Sequence, residues 1–255
     1  MTNVAAHARG PDASAPDRPA NAGAAPRAGP GPRGAAGLPA RLATVELLDE
    51  AGCDDWVMRV MLLRRHWRRR HALAPFFTLG LAAYLDGVAA VGERDYDDAS
   101  LRAASNALLE RHFLPLLQAA ADALAGHFRL PARFAPHAAR PGFHIYLPHP
   151  AFARPVASVH RDLQYRQVFP HRAPDEDDLF SFTLPLSTPP GSGLNLWPHG
   201  AGGGDAEFIP YRSGRLVVHR GLALHQAVLA CHDGLERVTL QGHGIREQGQ
   251  LLLYW

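Results

Sequence analysis

From Pro131 onward the chain breaks into nine short runs, each bounded by Pro, Gly or a polar turn. They are Gly142 to Leu147, Ala157 to Arg161, Leu179 to Leu186, Gly193 to Trp197, Ala206 to Tyr211, Arg215 to His219, Gln226 to Ala230, Glu236 to His243 and Gln250 to Trp255. Short alternating runs at this spacing read as strands, and a set of them buries its apolar faces only by forming a sandwich or barrel. This texture constrains the second half of the chain to an antiparallel β architecture.

Upstream the texture differs. Residues 1 to about 40 are dominated by Ala, Pro, Gly and Arg and lack large apolar side chains. Such a stretch cannot bury enough surface to offset its ordering entropy, so a disordered arm is expected. Residues 43 to about 90 read as helical, with Trp56, Val60 and Leu63 as an apolar stripe. A second helix is expected from an N-cap at Ser100 to about Phe128. Leu101, Leu108, Leu109, Phe113, Leu116, Leu117 and Leu124 would be its buried face, with Pro115 as a point of kinking. The expected layout is therefore α+β. It comprises an arm over 1–40, a helical layer over 41–130 and a β-barrel over 131–255, with the N-terminal helices covering one outer face of the sheet.

Composition excludes some chemistry. All 26 basic residues are Arg. Without Lys there is no Schiff-base lysine and no P-loop lysine. The formal net charge is +2, which gives no reason to expect a nucleic-acid partner. Cys53 and Cys231 are too few and too far apart for a disulfide framework or a Cys-rich zinc site. No apolar run approaches the ~20 residues needed to span a bilayer, and there is no signal-peptide core. The chain reads as cytoplasmic, with no membrane partner. The basic run Arg64 to Arg70 is either an anion contact or a solvated helix face with Trp67 turned inward.

The chemistry-bearing pattern lies in the β half. His160 and Asp162 sit at the end of an expected strand, where residues i and i+2 share a face. His225 follows an apolar strand and a Gly turn, and can supply a third ligand. His219 is a rival for that place. Two imidazoles and a carboxylate form the facial triad that leaves three positions open on Fe(II). Twelve residues beyond His225, Arg237 and Thr239 share one strand face. A guanidinium fork beside a hydroxyl makes a receptor for a carboxylate.

Taken together, residues from about 140 to 246 resemble the double-stranded β-helix (jelly roll) of the Fe(II)/2-oxoglutarate-dependent oxygenases. The matching elements are H-x-D at His160 and Asp162, the distal His225, and R-x-S/T at Arg237 and Thr239. The segments Pro189 to Leu194 and Gly214 to Val218 also fit. The resemblance implies Fe(II) held by His160, Asp162 and His225, with O₂ and 2-oxoglutarate as cosubstrates. Arg237 would grip the distal carboxylate of 2-oxoglutarate, assisted by Thr239. Members that halogenate replace the carboxylate ligand with a small residue, so Asp162 makes hydroxylation the default. One departure is His219, where the family usually has a hydrophobic residue; another is the absence of any family motif in the first 130 residues.

Around this site Tyr146 is a candidate hydrogen-bond donor to 2-oxoglutarate. Gln164, His144 and Gln241 are candidates for substrate contact, and Gln241 and His243 could satisfy each other. Phe169 to Asp178 and Pro198 to Asp205 read as lids or connectors. The expected substrate is a small organic molecule. The competing readings are a cupin-like metalloprotein that does not use 2-oxoglutarate, and a non-catalytic ligand-binding barrel.

Overall fold

The computed structural model describes residues 42–87, 95–197 and 205–255. The expected N-terminal arm lies outside these residues, as does most of the Pro198 to Asp205 segment. In chain order the elements are β1 (Leu42–Glu46), α1 (Glu50–Leu62), β2 (Arg68–Arg69), β3 (Phe76–Leu79), α2 (Ala83–Asp86) and α3 (Ala99–Phe128). There follow β4 (Ala132–Phe134), β5 (Gly142–Tyr146), α4 (Tyr165–Val168), β6 (Leu179–Ser187), β7 (Gly193–Trp197) and β8 (Glu207–Pro210). The last four are β9 (Arg215–Arg220), β10 (Leu224–Val228), β11 (Arg237–Glu247) and β12 (Gln250–Tyr254).

The strands form two sheets. The larger runs β1-β9-β6-β11-β5-β3-β2, with β12 and β4 continuing beside the far end of β11. The smaller is β10-β7-β8. Among the described residues the sheets do not close into a barrel. An isolated bridge ties His160, which lies in neither sheet, to His225 on β10 of the smaller sheet. β11 is the axis of the larger sheet. Its first half pairs with β5, its second half with β12, and most of its length with β6.

The helical expectation for residues 43–90 changes, and so does the cap expected for α3. Among the described residues there, α1, the short α2 and a 3-10 turn at Arg64–His66 are helical, while β1, β2 and β3 join the large sheet. β1 pairs antiparallel with β9, and β3 with the free edge of β5. An unpaired strand edge presents a row of open backbone groups, and these segments cover it. The α3 cap is Asp98 rather than Ser100: its carboxylate accepts from the backbone N–H groups of Ser100 (2.7 Å) and Leu101 (3.1 Å). Leu101 is also exposed, while Ala120 and Ala121 join the buried face.

The core lies between α3 and the large sheet. Phe113, Leu116, Leu117 and Leu124 of α3 share one cluster with Phe143, Ile145, Phe180, Phe182 and Leu240. Phe113 meets Phe143 with ring centroids 4.5 Å apart, and Phe128 meets Phe180 at 4.6 Å. Gly142 belongs to this packing. A Cβ there would stand 2.2 Å from the Trp255 ring and 2.7 Å from the Leu79 carbonyl, so only glycine fits. With one sheet face sealed by helix, the other is left to build the site. No helix among the described residues is long and apolar enough to cross a membrane.

Two arginines of the basic run, Arg68 and Arg70, are taken up by pairing. Arg70 makes a two-point contact with buried Asp86, at 2.7 and 2.6 Å, and Arg68 also reaches Asp86 at 3.3 Å. Trp67 turns its indole N–H onto the Val60 carbonyl and packs beside Phe77. The acidic run is tied as well: Asp177 pairs with Arg220 and Asp178 with Arg246.

Candidate metal and anion site

The expected strand Ala157 to Arg161 does not form. β10 is paired along its length with β7, and offers this segment a single residue, His225. The convergence of His160 and Asp162 is achieved by pins instead. His160 and His225 exchange backbone hydrogen bonds of 2.9 and 3.0 Å, and the Asp162 N–H donates to the Gly221 carbonyl at 3.0 Å.

These pins bring three side chains together. The His160 and His225 rings lie 4.4 Å apart. His160 Nε2 is 3.7 Å from Asp162 Oδ1, and His225 Nε2 is 3.6 Å from Asp162 Oδ2. One ligand atom from each residue lies within 4.8 Å of the other two. Bonds of about 2.0–2.2 Å would set neighbouring ligand atoms about 3 Å apart, so a small inward movement suffices to hold one ion.

The tautomers suit a metal. His160 Nδ1 contacts the Ser158 carbonyl at 2.9 Å, and His225 Nδ1 contacts the Ala223 carbonyl at 2.8 Å. A carbonyl only accepts, so each Nδ1 carries a proton and each Nε2 is left to face Asp162. Burial alone would raise the Asp162 carboxyl. The facing His225, His243 and His219 imidazoles and the Ser181 hydroxyl outweigh it and hold it well below the usual carboxylate range. His219 stands behind His225, 4.6 Å between ring centroids, with its Nδ1 on the Arg220 carbonyl. Burial pushes its imidazole down to about 3. The compact group comprises His160, Asp162 and His225, without His219.

The cluster opens on a cavity of about 420 Å³. His144, Tyr146, Gln241 and His243 line it, together with three residues that sequence reasoning did not single out: Tyr84, Ser181 and Tyr211. Tyr84 comes from α2 and its hydroxyl meets His144 Nε2. Gln164 departs most from expectation. It caps α4 and turns its side chain onto His243, which also contacts Ser181. His243 is therefore not partnered with Gln241.

Beneath the cavity lies Arg237. It is wholly buried. Its Nε donates to Ser192 Oγ at 3.0 Å, but Nη1 and Nη2 find no partner among the described residues. Thr239 Oγ1 is in the same condition. The guanidinium carbon sits 5.5 Å from the Tyr146 ring and 5.3 Å from the Tyr211 ring, and both rings line the cavity. Leaving a buried charged donor unpaired is expensive, and an anion at Nη1 and Nη2 would offset that cost.

Solved structures share this architecture. An N-substituted L-amino acid dioxygenase from Burkholderia ambifaria AMMD aligns over 85% of this chain and 86% of its own, at 12% identity and a TM-score of 0.51. The same dioxygenase in complex with α-KG covers 85% and 87%, at 12% identity and a TM-score of 0.52. The chain has the fold of that dioxygenase. A 2OG-Fe(II) oxygenase family oxidoreductase from Burkholderia pseudomallei matches less well, with a TM-score of 0.48 at 14% identity over 82% of this chain and 86% of its own. No protein-family model matches the chain, and no curated protein sequence does. In this fold His160 and Asp162 precede β6, His225 is the second residue of β10, and Arg237 opens β11.

Proposed function

We propose that the chain is an Fe(II)- and 2-oxoglutarate-dependent oxygenase that hydroxylates a small organic molecule. The observation that carries this reading is the buried Arg237, whose Nη1 and Nη2, with Thr239 Oγ1, are left open among the described residues beside the cavity that His160, Asp162 and His225 line. A cupin-like metalloprotein that ignores 2-oxoglutarate gives no reason to bury that charge.

In this reading His160, Asp162 and His225 hold the ion and leave three positions for cosubstrate and oxidant. When bound, Fe(II) with 2-oxoglutarate and O₂ supplies an oxidant able to remove hydrogen from a substrate carbon. The chain's own work is positional. Arg237 and Thr239 grip the far carboxylate, and the rings of Tyr146 and Tyr211 keep that charge pair dry, which strengthens it. His144, Gln241 and Tyr84 face the remaining space and orient the substrate. Residues 131–255 are then the catalytic core, with Tyr84 as a wall contributed by the 41–130 layer.

The test is anaerobic addition of Fe(II) and 2-oxoglutarate. A weak visible charge-transfer band is expected, and its loss in Arg237→Met. Folded protein that gives no band with both components present contradicts the reading.

A further inference from the structure

Behind Asp162, four side chains form one continuous hydrogen-bonded line. Ser181 on β6 lies directly opposite His243 on β11 in the strand register. Its hydroxyl contacts Asp162 Oδ2 on one side and His243 Nδ1, at 3.0 Å, on the other. The remaining ring nitrogen, His243 Nε2, meets the side-chain amide nitrogen of Gln164. Gln164, Ser181 and His243 are all buried.

The donor inventory gives this line a direction. An ionised carboxylate only accepts, so the single Ser181 proton points to Asp162. Ser181 Oγ must then accept from His243, which places the ring proton on Nδ1. With Nδ1 protonated in a neutral ring, Nε2 is an acceptor, and the Gln164 amide N–H fills it. The Gln164 amide nitrogen at Nε2 can only donate, so that ring nitrogen is left as the acceptor. Every donor along the line faces an acceptor.

We propose that Gln164, His243 and Ser181 are positioning residues. They form a one-way donor line that locks His243 in its Nδ1–H tautomer and fixes the orientation of the Asp162 carboxylate for the metal. This role rests on the metal reading above. Gln164, four residues from His160, thereby acts on the ion through His243 rather than on the substrate. Losing such outer partners of a ligand typically weakens metal affinity by about 10–100-fold.

Two measurements test it. Imidazole ¹⁵N NMR on the metal-free protein reads the His243 tautomer directly. The expected result is Nδ1–H in the wild type and a tautomer mixture in Gln164→Leu. Co(II) titration then reads the ion site. Ser181→Ala should bind Co(II) about tenfold more weakly, with a shifted d–d spectrum, and Ser181→Thr should restore most of both. An Nε2–H tautomer in the wild type overturns the line. So does a folded Ser181→Ala that binds Co(II) as tightly as the wild type, while the metal reading stands. Failure of the wild type itself to take up Co(II) overturns the metal reading, and this role with it.

Discussion

His160 and His225, sixty-five residues apart in the chain, are joined by a reciprocal pair of backbone hydrogen bonds of 2.9 and 3.0 Å. That bridge ties the loop carrying His160 to β10 of the smaller sheet. It brings the imidazoles to 4.4 Å between ring centroids, tilted by 55°, without any strand around His160. The geometry of the site is therefore set by backbone, and side-chain substitutions at the ligands can be read as chemistry rather than as unfolding.

Asp162→Ala removes the charged member of the cluster and leaves both backbone pins in place. Its affinity for Mn(II) or Co(II), measured by titration calorimetry, should fall by at least about 100-fold, because one ligand bond and its charge are lost. The thermal midpoint of the metal-free variant should fall modestly, because a carboxylate held ionised by its neighbours is lost and the Ser181 hydroxyl loses its acceptor.

Arg237→Lys keeps a positive charge and loses the fork. Two charge-assisted hydrogen bonds, each worth about 1.5–3 kcal/mol, are replaced by one. The affinity for 2-oxoglutarate in the presence of Mn(II) should drop by roughly 10–100-fold, with metal affinity unchanged. Loss of metal affinity in parallel would show that Arg237 supports the fold rather than the anion.

Stability should depend on acidity. Burial, aided by the Arg237 and Arg70 charges, holds the His144 imidazole well below its ordinary value, and burial takes His243 to about 4. Both groups are depressed on folding, so the unfolded chain binds protons that the folded chain refuses. Their contribution is complete above the ordinary imidazole value of about 6.5. It is lost as the pH falls from there through the folded value of about 4. Urea midpoints of the metal-free protein should therefore fall between pH 7 and pH 5, and His144→Gln should flatten that slope.

Gly142→Ala drives a methyl into the Trp255 ring and toward the Leu79 carbonyl. Overpacking of this kind costs about 1–3 kcal/mol. Urea denaturation should show a loss in that range.

The strands with turn signals on both sides were legible in the sequence. Gly193 to Trp197 coincides with β7, and Leu179 to Leu186 with all but the last residue of β6. β1, β2 and β3 were not, because they are short edge pieces whose strand state comes from the partner they cover. The meeting of His160, Asp162 and His225 was expected from an H-x-D pair on a strand, but the structure brings these side chains together through backbone pins without that strand. Arg237 and Thr239 were legible as i and i+2 on one strand. Ser181 and Tyr211 were hidden because their placement depends on how separate strands align, as with Ser181 opposite His243. Gln164 was misplaced because its strand ended after one bridge and a helix began.

The most direct measurement is a crystal grown anaerobically with Fe(II) and 2-oxoglutarate, with the iron located by its anomalous scattering. The account predicts one iron bonded to His160 Nε2, a carboxylate oxygen of Asp162 and His225 Nε2, with the far carboxylate of the diacid on the Nη atoms of Arg237 and the hydroxyl of Thr239. Iron bound by another set of side chains, or a diacid that leaves Arg237 unpaired, contradicts it.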